Sequence, residues 1–145
     1  MNDPGWANAQ LLSVTRWGLR SRALSRMPVR SGAVINVTVP SGTPGGDTVY
    51  LAGNYNVLGT GIGSYHDWLA YDYPMIKTGT DTWTLTITGV PTANFQYKFT
   101  LGSWNNVEET SSCGAVANRT FGFDTADATY TANDTVAAWD GVGSC

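Results

Sequence analysis

Thr82-Trp83-Thr84-Leu85-Thr86-Ile87-Thr88 alternates threonine with a large apolar residue at every second position, and Gly89-Val90-Pro91 then interrupts the run. A period of two puts Trp83, Leu85 and Ile87 on one face of a β-strand and the threonines on the other. The pattern resumes at once: Phe95, Tyr97, Phe99 and Leu101 point to a core while Gln96, Lys98 and Thr100 point out. Upstream, Ile35, Val37 and Val39 alternate with Asn36 and Thr38, and a Gly/Pro/Ser/Thr turn over Pro40–Asp47 leads into a second strand, Thr48–Gly53. A short strand near Met75 and further strands over Arg119–Asp124 and Asp134–Trp139 are expected. No helical pattern follows residue 33, so the fold class is all-β. The architecture is an immunoglobulin-like antiparallel β-sandwich of about seven strands.

The segment Asn54–Asp81 is rich in turn formers and aromatics, and long loops of this kind often carry function. Residues 1–33 differ from the rest. Trp6, Leu11, Leu12, Val14, Trp17, Leu19 and Leu24 are spaced loosely as an amphipathic helix, and five of the six arginines lie there. This segment reads as an Arg-rich extension: a linker, the remnant of an upstream domain or a non-native addition. A helix that docks on a membrane surface or a partner is the functional alternative. The domain proper is taken as residues 34–145, with self-assembly through the extension as the rival to ligand binding.

The net charge of -3 conceals an acidic body with only two lysines, which cannot neutralise a row of phosphates; nucleic acid is excluded as its ligand. No stretch is long and apolar enough to span a bilayer. Two cysteines and one histidine cannot make a four-ligand zinc site without carboxylate help, and no metal and no cofactor are expected. Cys113 and Cys145 read instead as a disulfide tying the C-terminus to the loop before Asn118, as suits a secreted, lysine-poor protein.

Catalysis finds little support. No Gly-x-Ser-x-Gly elbow or phosphate-cradling loop occurs, and His66 reads as a loop residue. Glycoside hydrolysis needs two carboxyl groups about 5–10 Å apart across one bond. Glu108 and Glu109 are adjacent and would point opposite ways if extended, and Asp67 and Asp72 read as solvated loop carboxylates. The module itself is therefore not expected to be an enzyme.

Six tryptophans are more than a core of this size readily absorbs. Trp83 reads as buried and Trp139 as either. Trp68 and Trp104 lie among Gly, Ser, Asp and Asn, where exposed rings can cover the flat C–H faces of a pyranose. With the runs Thr48–Asn56, Tyr73-Pro74-Met75, Thr82–Leu85, Phe95–Phe99, Gly102-Ser103-Trp104, Asn118-Arg119 and Val136–Trp139, residues 34–140 resemble starch-binding domains of carbohydrate-binding module family 20. They are also similar to the glycogen-binding modules of family 48.

The resemblance implies a non-catalytic module that binds α-1,4-glucan (starch, glycogen or maltooligosaccharide) as accessory to an amylolytic glycoside hydrolase. By analogy Trp68 and Trp104 grip successive glucose faces, while Lys98 and Asn118 hydrogen-bond hydroxyls; Glu108 joins them at the sugar surface. The chain departs from the family in an insertion at Thr60–Asp67, in Val107-Glu108-Glu109 where family 20 carries a Trp, and in lacking the tyrosines of a second site. One site is expected, as a monomeric module, with affinity on the order of tens to hundreds of micromolar.

Overall fold

The period-two segments become strands in the computed structural model, which describes residues 31–58, 66–89, 94–121 and 129–145. The helix expected in the N-terminal extension falls before residue 31 and lies outside the described residues. In chain order the strands are β1 (Ser31–Thr38), β2 (Tyr50–Gly53), β3 (Ile76–Lys77), β4 (Thr82–Gly89), β5 (Phe95–Thr100), β6 (Glu108–Glu109), β7 (Arg119–Phe121), β8 (Thr129–Thr135) and β9 (Ala138–Trp139). Single 3-10 turns occur at Tyr55–Leu58 and Trp104–Asn106.

One sheet runs β3-β4-β1-β8, a second β2-β5-β7, and β9-β6 form a two-stranded ribbon. Among the described residues every pairing is antiparallel except β1 with β8. The register sets Ala33, Ile35 and Val37 opposite Ile87, Leu85 and Trp83, and all six are buried. From the second sheet Leu51, Phe95, Tyr97 and Phe99 fill the other half of the core. Each such aliphatic or aromatic side chain contributes roughly 1.5–3 kcal/mol on burial. The fold is an all-β sandwich, as the alternation predicts.

Two local expectations are corrected. The single strand expected over Asp134–Trp139 is two, in different sheets: β8 stops at Thr135, the Val136 N–H bonds to the Thr38 carbonyl, and Trp139 pairs with Glu108 in β6. Trp139 is thereby core, with its indole N–H donating to Thr43 Oγ1 at 2.8 Å. Thr100, expected to face solvent, is wholly buried and donates its hydroxyl to the Ala70 carbonyl. The expected disulfide is present between Cys113 and Cys145, with their Cα atoms 5.3 Å apart.

A polar network closes one side of the sandwich. Arg119 points inward from β7 and donates to both carboxylate oxygens of Glu108, the shortest contact being 2.7 Å, and to the Thr135 carbonyl at 2.8 Å. Its third nitrogen lies 3.4 Å from Asp134, and its guanidinium lies 5.3 Å from the centre of the Phe99 ring. Glu108 also accepts the Phe99 N–H at 3.0 Å, and Asp134 accepts the Tyr97 hydroxyl. Burial works against the Arg119 charge, but the hydrogen bonds and charge of Glu108 outweigh it and raise its pKa further. Glu108 is therefore not at the sugar surface where the resemblance sets it. It is only 1 % exposed, and its burial is tolerable because the half-buried Arg119 reaches it from the margin of the sandwich.

Breaking a buried pair leaves an uncompensated charge. Arg119→Ala is expected to lower the unfolding free energy by about 3 kcal/mol or more in urea denaturation, and Glu108→Gln in that background to recover part of the loss. Burial, then the hydrogen bond and charge of Asp134, raises the Tyr97 pKa well above its ordinary 10.0. The folded state thus resists ionisation that the unfolded chain undergoes. Tyr97's contribution is complete below pH 10 and fades as the pH rises beyond it. Denaturation series at rising pH should show a steeper alkaline loss in wild type than in Tyr97→Phe.

Candidate functional site

The outer face of β5 carries Gln96, Lys98 and Thr100, each two residues from the next. Lys98 stands opposite Ala52 of β2. On the other side, Tyr97 pairs with Arg119; continuing that register brings Asn118 beside Lys98 on the same face. Asn118 is exposed, and its amide donates to Gln96 Oε1 at 3.1 Å. The Gln96 backbone is held in turn by the Asn54 side chain, which accepts its N–H at 2.7 Å.

At the Thr100 end two loops converge. Thr100 Oγ1 accepts the Gly102 N–H at 3.1 Å, and Gly102 turns the chain at a φ of +102°, a conformation suited to glycine. Ser103 then caps the 3-10 turn by accepting the Asn105 N–H at 3.1 Å, which leaves Trp104 42 % exposed. The second loop carries half-buried Trp68, whose backbone N–H donates to the Gly53 carbonyl at 2.8 Å, and then Ala70, which accepts from Thr100. Gly53 itself packs closely on β5: a Cβ there would lie 2.6 Å from the Gln96 carbonyl and 2.7 Å from the Phe95 ring.

Trp68 and Trp104 thus meet with ring centroids 6.5 Å apart and planes inclined by 41°. Two rings so inclined present a bent apolar surface rather than a flat one. On β5, Lys98 lies between Thr100, which anchors the loop bearing Trp68, and Gln96, which accepts from Asn118. Four of the five expected sugar-binding residues, Trp68, Lys98, Trp104 and Asn118, consequently share one outer sheet face and its rim; Glu108 does not. Gln96, which the alternation already turns outward, was not expected among the site residues, although its position two residues before Lys98 puts it on the same face. Tyr71, 63 % exposed three residues after Trp68, is a further aromatic on the same loop.

Other concavities suit a ring less well. A groove of about 360 Å³ lies over Asn36, Thr82, Trp83, Asn133 and Asp134. Trp83 is only 7 % exposed there, with the Lys77 ammonium 5.8 Å from the centre of its ring, so the groove offers no free aromatic face. Glu109 lies within 4.8 Å of Cys113 and Cys145, but both sulfurs are bonded to each other. The Glu108 carboxylate is committed to Arg119 and Phe99, so it has no free oxygen for acid–base work on a sugar.

No protein-family model matches the chain. It is 32 % identical over 105 residues to an amylopullulanase of Thermoanaerobacter thermohydrosulfuricus, covering 72 % of this chain and 6 % of that enzyme. It is 30 % identical over 95 residues to an alpha-amylase of Niallia circulans, covering 64 % of this chain and 7 % of that enzyme. The chain therefore spans less than a tenth of the length of either relative. Its fold is similar to part of a family 15 glucoamylase from Hypocrea jecorina, with a TM-score of 0.54 and 19 % identity over 79 % of this chain and 18 % of that one.

The buried Thr100 hydroxyl serves both loops. Thr100→Val is expected to leave the Ala70 carbonyl and the Gly102 N–H without their partner and to cost about 1–3 kcal/mol. Thermal melting measures this, and hydrogen exchange should report the loss first at Trp68–Tyr71 and Gly102–Trp104.

Proposed function

We propose that this domain is a non-catalytic carbohydrate-binding module for α-1,4-glucan, carried by a secreted starch-degrading enzyme. The observation that supports it most is the Trp68–Trp104 pair, 6.5 Å apart and inclined by 41°, on the sheet face that also presents Lys98 and Asn118. Successive glucose units of an α-1,4-glucan turn relative to one another, so an inclined pair of rings covers them where a coplanar pair would suit a flat β-1,4 chain. Lys98 and Asn118 supply a cationic donor and an amide for ring hydroxyls. The polar groups fix orientation while the rings carry the contact area.

The relatives support the starch connection, since both similar enzymes are named for α-glucan hydrolysis and this chain corresponds to a small part of each. A segment of that extent fits an accessory domain. The Cys113–Cys145 disulfide supports an oxidising destination outside the cell. A single bent platform implies modest affinity, which attachment to a catalytic domain converts into avidity on an insoluble polymer.

Titration with β-cyclodextrin, followed by tryptophan fluorescence, is expected to give saturable quenching, with no response to cellohexaose. Trp104→Ala should weaken cyclodextrin binding by a factor on the order of a hundred, by the energetics of a lost aromatic anchor. Unchanged affinity in that variant would refute the site.

A further inference from the structure

Trp68 has a backbone φ of +57°, in the left-handed region that bulky residues seldom occupy. Such a conformation persists only where its surroundings over-determine it. The restraints here are unusual because carboxylates supply two of them. Asp67 Oδ1 accepts the Asn56 backbone N–H at 2.8 Å, and Asp72 Oδ2 accepts the His66 backbone N–H at 2.7 Å. Asn56 belongs to the 3-10 turn Tyr55–Leu58, whose Tyr55 and Leu58 side chains are buried in the core. Asp67 therefore ties the residue next to Trp68 to a segment that cannot move independently. Asp72 holds the loop from the other side, and its carboxylate also lies 3.5 Å from the imidazole Nδ1 of His66. Between them the Trp68 N–H is bonded to Gly53 and the Ala70 carbonyl to Thr100.

We propose that Asp67 and Asp72 are positioning residues that hold Trp68 in its left-handed conformation against Trp104, so that the two rings are set at their mutual angle before a ligand arrives. The proposal rests on the α-glucan reading for its consequence in binding. The carboxylates act through the backbone and need touch no sugar: an alanine at either position frees the loop to relax to negative φ and swings the Trp68 ring away. Preorganisation of this kind raises affinity by removing an ordering cost from the binding step.

Two measurements on wild type, Asp67→Ala and Asp67→Asn test it. The first needs no sugar: two indoles this close give an exciton couplet in far-ultraviolet circular dichroism, identified by its loss in Trp104→Phe. The second is β-cyclodextrin affinity by calorimetry. Asp67→Ala is expected to lose most of the couplet and to bind about tenfold more weakly, the cost of re-forming an unfavourable backbone conformation. Asp67→Asn keeps an acceptor oxygen and should retain both. Asp72→Ala is expected to act in the same direction, and serves if Asp67→Ala does not fold. A couplet and affinity both preserved in Asp67→Ala overturn the proposal, as does a wild-type protein with no couplet. If the couplet responds as expected while wild type binds no cyclodextrin, the positioning role stands and the α-glucan reading alone is lost.

Discussion

The ion pair between Arg119 and Glu108 is the constraint on which the arrangement depends. It joins β7 to the β6–β9 ribbon, and through Thr135 and Asp134 it reaches β8 in the opposite sheet. A carboxylate 1 % exposed is unfavourable unless its charge and lone pairs are met, and Glu108 is met by a guanidinium and by the Phe99 N–H. Hydrophobic packing alone sets the two sheets face to face. The network specifies how the short strands at their margin dock, because few positions of β6, β7 and β8 satisfy every partner at once.

That constraint reaches the surface through strand alternation. Asn118 and Arg119 are consecutive, so fixing the arginine inward fixes the asparagine outward beside Lys98. The opposite rim is held by different means. Thr100 and Gly53 are backbone anchors for the loop bearing Trp68, and Gly102 and Ser103 turn the chain to present Trp104. A rigid strand thus carries the polar contacts while two short loops carry the rings. Under the proposed α-glucan reading, this division would place selectivity in the angle between the two aromatic faces.

Much of this was legible in the chain because it rests on periodicity. Trp83, Leu85 and Ile87, and likewise Phe95, Tyr97 and Phe99, face the core as their alternation requires. Lys98 faces outward for the same reason. What periodicity could not convey was long-range. Thr100 follows the outward pattern yet is buried, because a loop thirty residues earlier in the chain folds over it. Glu108 looks like a surface carboxylate in sequence, and only the inward reach of Arg119 from β7 explains its burial. The break at Val136-Ala137 was hidden because an apolar residue after a polar strand reads as continuation, whereas here it marks a change of sheet. The positive φ of Trp68 has no sequence signature, since the residue there is not glycine or asparagine.

The most direct measurement is a crystal structure of the domain grown with β-cyclodextrin. The account predicts the sugar ring seated across Trp68 and Trp104, with Lys98 and Asn118 within hydrogen-bond distance of its hydroxyls and the Trp68 backbone still at positive φ. A cyclodextrin bound instead in the groove over Asn36, Asn133 and Trp83, with the Trp68–Trp104 face bare, would contradict it.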